Sequence, residues 1–132
     1  MTLNAVRAAL SARFATITGL RTFDTFPQRL DPPAVFVGAM SRLPAQDFGG
    51  DSTSTFEVFV CVSSVESARN IEVLDDYADS TGSKSVEAAI NGSPTLGGSA
   101  MSAVVTQVQS PVTVEVAGVP YLAAQFTVEV YH

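Results

Sequence analysis

The residues able to do chemistry in this 132-residue chain are few and scattered. Cys61, the single cysteine, lies in an apolar run between Val60 and Val62, far in sequence from the single histidine, His132. A thiolate nucleophile needs a base or an electropositive neighbour, and this placement reads instead as a small packed thiol. His132 is the last residue given, a poor place for a rigidly held base or metal ligand. Asp75, Asp76 and Asp79 cluster where a helix should end, without the ligand spacing of a calcium loop. They read as a solvated or interfacial acidic face. Glu57, Glu115 and Glu129 fall in strand-like segments, where a cross-strand pair could serve as acid and base. Carboxylates on a wet sheet face are the commoner outcome.

Two short motifs dissolve on inspection. Asp47-Phe48-Gly49 spells the metal-binding tripeptide of protein kinases, but the chain is too short for a kinase and has neither the glycine-rich nor the catalytic loop. "ADSTGSKS" at 78–85 has Ala78 and Ser83 where a phosphate loop requires glycine, and it follows a helix instead of a strand. No catalytic set, metal site or cofactor site is expected.

The elements that would carry these residues are legible. Leu3, Val6, Leu10, Phe14 and Ile17 form one apolar stripe at helical spacing, with Thr2 as N-cap and Gly19 as stop. Arg7 and Arg13 lie off that stripe and are expected to stay solvated. "LRTFDTF" reads as a short strand ended by Pro27, and "AVFVGAM" as a second, with Gly38 at a bulge. Residues 41–53 have no periodicity and read as a long exposed hairpin loop. "STFEVFVCV" is a third strand. Ser63 with Glu66 fits a capping box that would start a helix near Val65, burying Ile71, Leu74, Tyr77 and Ala78. A second short helix would be capped by Ser83, bury Val86, Ala89 and Ile90, and stop at Asn91-Gly92. "AVVTQVQS", "VTVEV" and "VPYLAAQFTVEVYH" read as three further strands, the last two joined through Ala117-Gly118. The last strand alternates, with Leu122, Ala124, Phe126, Val128 and Val130 against the core. The order lacks alternating βα units. It predicts an α+β fold, a single domain over 1–132 with an N-terminal helix and two short central helices packed on an antiparallel or mixed sheet of about five to six strands.

Composition bounds the function class. Hydrophobic residues make up 46% and charged residues 15%, so the chain is too apolar to be disordered and too little charged for an ordinary free surface. Covering that surface with other copies is the simplest explanation. Net charge is −6 with a single lysine, Lys84, which leaves no basic stripe for gripping phosphates. One cysteine permits no intrachain disulfide, and neither a signal-peptide core nor a membrane-spanning run is present, so synthesis in a reducing cytoplasm with no membrane partner is expected.

"LRTFDTFPQRLDPPAVFVG", "DDYADSTGSKSVEAAINGSPTLGG" and "VPYLAAQFTVEV" resemble the tail terminator proteins of long-tailed actinobacterial phages, the group that shares its fold with lambda-type terminators. The resemblance runs from Leu3 to Tyr131 and is weakest over 41–53. It implies a virion protein, a ring of usually six copies at the head-proximal end of the tail tube. That ring would stop tube growth and present a docking surface to the head-closure or connector protein. DNA would pass through its lumen without specific binding. The nearest alternatives are a head-closure or joining protein, or a tail tube protein. On this reading the candidate interface residues are Lys84, Ser85, Glu87 and Asn91 around the second central helix, and Tyr121, Gln125, Glu129 and Tyr131 on the outer face of the last strand. Leu43, Gln46, Asp47, Phe48 and Asp51 form a candidate loop contacting neighbours.

Overall fold

The apolar stripe of the first fifteen residues forms the helix it predicts. In a computed structural model, which describes residues 3–17, 19–23, 32–43, 53–63, 68–93, 95–96, 102–116 and 118–131, α1 spans Leu3–Phe14. Val6, Leu10 and Phe14 are fully buried, and Ile17 follows them into the core. Gly19 adopts φ +82°, a left-handed turn that a residue with a Cβ takes only at a cost, so the chain reverses there. Among the described residues the order is α1, β1 (Arg21–Phe23), β2 (Ala34–Leu43), β3 (Thr53–Ser63), α2 (Ala68–Ala78), α3 (Val86–Asn91), β4 (Ser102–Val116) and β5 (Val119–Tyr131).

The five strands form one mixed sheet in the order β1-β2-β3-β5-β4. β1 runs parallel to β2, and every other pair is antiparallel. The α+β expectation holds. One face carries the helices. There Val35, Val37, Phe56, Val58, Val60, Phe126, Val128 and Val130 meet Leu10, Phe14, Leu74 and Ile90 in the main core. Burying that many large side chains supplies the main drive for the fold, at roughly 1.5–3 kcal/mol for each fully buried one.

The opposite face is covered at one end only. Ala34, Phe36, Cys61, Val116 and Ala123 form a second, smaller buried cluster, against which Phe59, Val112, Val114 and Tyr121 pack. Register shifts between Gln109 and Val112 and between Cys61 and Ser63 bend the β4–β5 hairpin. The hairpin tip extends past the end of β3 and closes over this cluster. Its turn is the expected one, with Gly118 at φ +81° between the paired Val116 and Val119.

Four expectations are corrected. "AVVTQVQS" and "VTVEV" are one strand, β4, because Pro111 sits in a register shift on an edge strand, where no ladder bond is asked of its nitrogen. The described residues then form five strands, within the expected five to six. Ser63, read as a helix cap, is the last residue of β3, paired with Leu122, and α2 is described from Ala68, the expected start near Val65 lying outside the described residues. The cap of α3 is Ser85, not Ser83, with its side chain accepting from the Ala88 N–H at 3.0 Å. The two arginines of α1 are half-buried and engaged rather than free in solvent. Arg7 Nη1 donates to the Val37 and Gly38 carbonyls at 3.0 and 2.9 Å, and Arg13 Nε donates to the Ala89 carbonyl at 2.9 Å. Each long side chain finds backbone acceptors that helix packing brings within reach, at a bulge of β2 and near the end of α3. Of the loop over 41–53, Ser41 to Leu43 continue β2 and Thr53 opens β3; Thr2, Glu66 and the remainder of that loop lie outside the described residues.

Candidate functional site

Placing the candidate residues on this frame divides them between two faces. Lys84 is exposed in the turn between α2 and α3, its Nζ 6.0 Å from the centroid of the Tyr77 ring. Glu87 is half-buried in the first turn of α3, where a carboxylate complements the helix dipole, and Asn91 is exposed at the other end. Ser85, 1% exposed, has its hydroxyl engaged at once as α3 cap and as donor to the Asp79 carbonyl at 2.5 Å. It has no surface of its own to offer a neighbour, which corrects its choice as an interface residue. The side chain shapes the turn that presents Lys84.

The β5 residues lie on the face away from the helices, and that group also splits. Tyr121 packs against the second cluster under the hairpin. Gln125 and Glu129 are half-buried and Tyr131 exposed, on the part of the face that the hairpin leaves open. Tyr131 donates to Glu129 Oε1 at 3.1 Å, and this bond, with the carboxylate charge beside it, pushes the phenol above its ordinary value. Leu43 ends β2, while Gln46, Asp47, Phe48 and Asp51 lie outside the described residues, as does His132.

The open part of the sheet is a polar wall with a carboxylate pair. Across it run the rows Ser41–Thr55–Glu129–Val104 and Glu57–Thr127–Gln107. Threonine therefore stands directly across from each glutamate, and the two carboxylates are diagonal neighbours. Among the described side chains of these rows are Glu57 and Glu129 and no lysine or arginine.

Nothing in the described geometry assembles a reaction centre. Burial pushes the Cys61 thiol up to about 12, so it stays protonated and unreactive. Among the described residues no three His, Cys, Asp or Glu side chains come together as a metal site. Asp76 and Asp79 line an open groove of about 280 Å³ with Thr81, Gly82, Ser83 and Lys84. Asp79 spends one oxygen on the Ser80 N–H at 2.7 Å. No helix among the described residues is long and apolar enough to cross a membrane.

Sequence reasoning missed two surfaces. One is an open groove of about 510 Å³ along Ala5, Ala8, Ala9 and Ala12 of α1, closed at its side by Ser93 and Leu96. Alanines off the apolar stripe were a signal that this helix has a second low-polarity face. The other is β4, whose Val104 and Val108 are 40% and 37% exposed at the edge of the sheet. The uncharged run "SAVVTQVQ" was its signal. No family model matches this sequence, and no curated protein matches it.

Proposed function

We propose that this chain is a structural subunit of a phage tail, a terminator that forms a ring at the head-proximal end of the tail tube, stops tube growth and receives the head connector. The resemblance of "LRTFDTFPQRLDPPAVFVG", "DDYADSTGSKSVEAAINGSPTLGG" and "VPYLAAQFTVEV" to such proteins supplies the assignment. The observation that supports it most directly is the open sheet wall. Among the described side chains it carries Glu57 and Glu129 beside Thr55, Thr127, Gln107 and Gln125, and no lysine or arginine. A wall of that kind facing a lumen repels phosphates and gives a passing duplex nothing to hold. Arg7 and Arg13, which could have made a basic patch, are turned inward to carbonyls.

Deletion of the gene from its phage, followed by negative-stain electron microscopy of the lysate, tests the assignment. Tails of uncontrolled length unjoined to filled heads are expected. Tails of normal length that fail to join heads would mean a joining or head-closure protein. Loss of all tubes would mean a tube protein, and intact infectious particles would remove the virion role altogether.

A further inference from the structure

The two outer edges of the sheet are unequal along their length, and their inequalities match. β4, one edge strand, has neither charge nor proline from Ser102 to Gln109, and then acquires Pro111 and Glu115. Proline and charge are the usual means of blunting an edge, so one half of β4 is blunted and the other bare. At the opposite edge, β1 covers β2 only from Ala34 to Phe36. Among the described residues no strand pairs with the outer side of β2 beyond Phe36. Arg7 occupies the Val37 and Gly38 carbonyls, so the part of β2 left bare by the described residues is Ala39–Leu43.

The bare parts lie at the same end of the sheet. Met40 is on the row of Phe56, Val128 and Val105; Ser41 on that of Thr55, Glu129 and Val104; Leu43 on that of Thr53, Tyr131 and Ser102. The covered end of β2 likewise shares its rows with the Pro111 region of β4, since Ala34 lines up with Cys61, Ala123 and Val112. The pairings also make β2 and β4 run in opposite directions.

We propose that the bare edge of β4 is the docking site for a second copy of this chain, which adds its own β2 edge, Ala39–Leu43, antiparallel to Ser102–Val105. Main-chain hydrogen bonds would carry the contact, as in strand addition generally, and exposed Val104 would be covered by the incoming strand. The uncharged β4 segment places no like charge against the chain's net charge of −6. A second copy fits better than an unrelated strand, because Met40, Ser41 and Leu43 of the β2 edge share rows with Val105, Val104 and Ser102 of the β4 edge and the two strands run in opposite directions. Such a contact is head-to-tail, each copy offering one edge and receiving the other, and contacts of this kind build rings when the rotation between copies closes. The inference rests on the ring reading above for that closure, and names the surfaces that make it.

Cysteines at Ser41 and Val104 test it, since directly opposed residues of an antiparallel pair sit about 4.5–5.5 Å apart, within disulfide reach. Oxidised and quenched with N-ethylmaleimide before denaturation, S41C/V104C is expected to give a ladder of covalent multimers, while S41C and V104C alone give none. V104K/V108K, which changes only exposed positions, is expected to weaken self-association at least tenfold with the fold intact by circular dichroism. A covalent dimer from V104C alone would replace the proposal with two-fold pairing of β4 on itself. An oligomer in sedimentation that neither cross-links nor responds to V104K/V108K would overturn the edge contact and leave the ring reading standing. A wild-type chain that stays monomeric at every concentration would overturn both.

Discussion

The guanidinium of Arg7 lies 5.4 Å from the centroid of the Phe56 ring, and from that position Nη1 reaches two successive carbonyls, Val37 and Gly38, where β2 bulges. One side chain of α1 thereby holds the irregular strand against the helix layer. Val37 is the last paired residue before the register shift and Gly38 lies within it, and the arginine gives both carbonyls a charged donor over an aromatic face.

Arg7→Ala is therefore expected to destabilise the fold by about 2–4 kcal/mol, from charge-assisted hydrogen bonds and a partly desolvated cation–π contact. Arg7→Lys should recover part of this, because an ammonium can sit over Phe56 but has no fixed fork for two carbonyls. Urea unfolding with an unchanged m-value checks both. Equal stability of all three proteins would mean the bulge needs no donor.

Gly92 caps α3 in the right-handed region at φ −65°, so its lack of a side chain is not a matter of backbone freedom. A Cβ there would stand 2.7 Å from Arg13 Nη2. Gly92→Ala should cost about 1 kcal/mol or less, because the end of the Arg13 guanidinium must shift and strains the Nε bond to the Ala89 carbonyl. In an Arg13→Ala background the same substitution should become neutral or mildly stabilising, since alanine is the better helix former. A double-mutant cycle measures the coupling, and additive effects would contradict the clash.

Ser85→Ala removes the α3 cap and the bond to the Asp79 carbonyl, and is expected to cost about 1–2 kcal/mol. Ser83→Ala, at an exposed position, should stay within about 0.5 kcal/mol of wild type. Thermal unfolding of the two variants side by side separates the true cap from the one the sequence pattern suggests.

That pair shows where legibility ended. Apolar spacing located the buried faces of α2 and α3, because Leu74, Tyr77, Val86, Ala89 and Ile90 obey a period set within a few turns. Ala117-Gly118 located the hairpin for the same local reason. Distinguishing Ser83 from Ser85 required the path of the turn after Asp79, and the fates of Arg7 and Arg13 required knowing which carbonyls packing would bring near. The outer residues of β5 alternated in sequence as one set. Bulges in the two strands that flank β5 then bent the hairpin, so Tyr121 packs against the second cluster while Gln125 and Tyr131 remained on the open wall. Such bends depend on several strands at once. The matching of the β2 and β4 edges depends on rows through four strands and has no local signature at all.

Cys61 should resist alkylation at pH 8 in the folded protein and react fully in denaturant, since its thiol is shielded and protonated. The raised value also fixes a sign. The unfolded thiol ionises near 9 and the folded one near 12, so the unfolded state sheds its proton first and stability falls as pH rises through this window. Tyr77, raised by burial and then by the Asp76 charge, and Tyr131 act in the same direction at higher pH. Cys61→Ala should flatten the alkaline slope of the urea midpoint from pH 9. An unchanged slope would place the thiol in contact with water.

Glu57 and Glu129 are half-buried on the open wall, opposite Thr127 and Thr55, and Glu129 accepts a hydrogen bond from exposed Tyr131. E57K/E129K is expected to destabilise the isolated chain by about 1 kcal/mol or less, because an exposed hydrogen bond and surface charges contribute little. If this wall lines a DNA passage, the double variant should assemble tails of normal length yet lose infectivity, because phosphates meet cations in a confined lumen where attraction slows passage. E57Q/E129Q should fall between, having removed repulsion without adding attraction. Electron microscopy of tail lengths with plaque counts separates assembly from transit. Short or overgrown tails would place the wall at the tube contact, and full infectivity of E57K/E129K would put it on the outside of the ring.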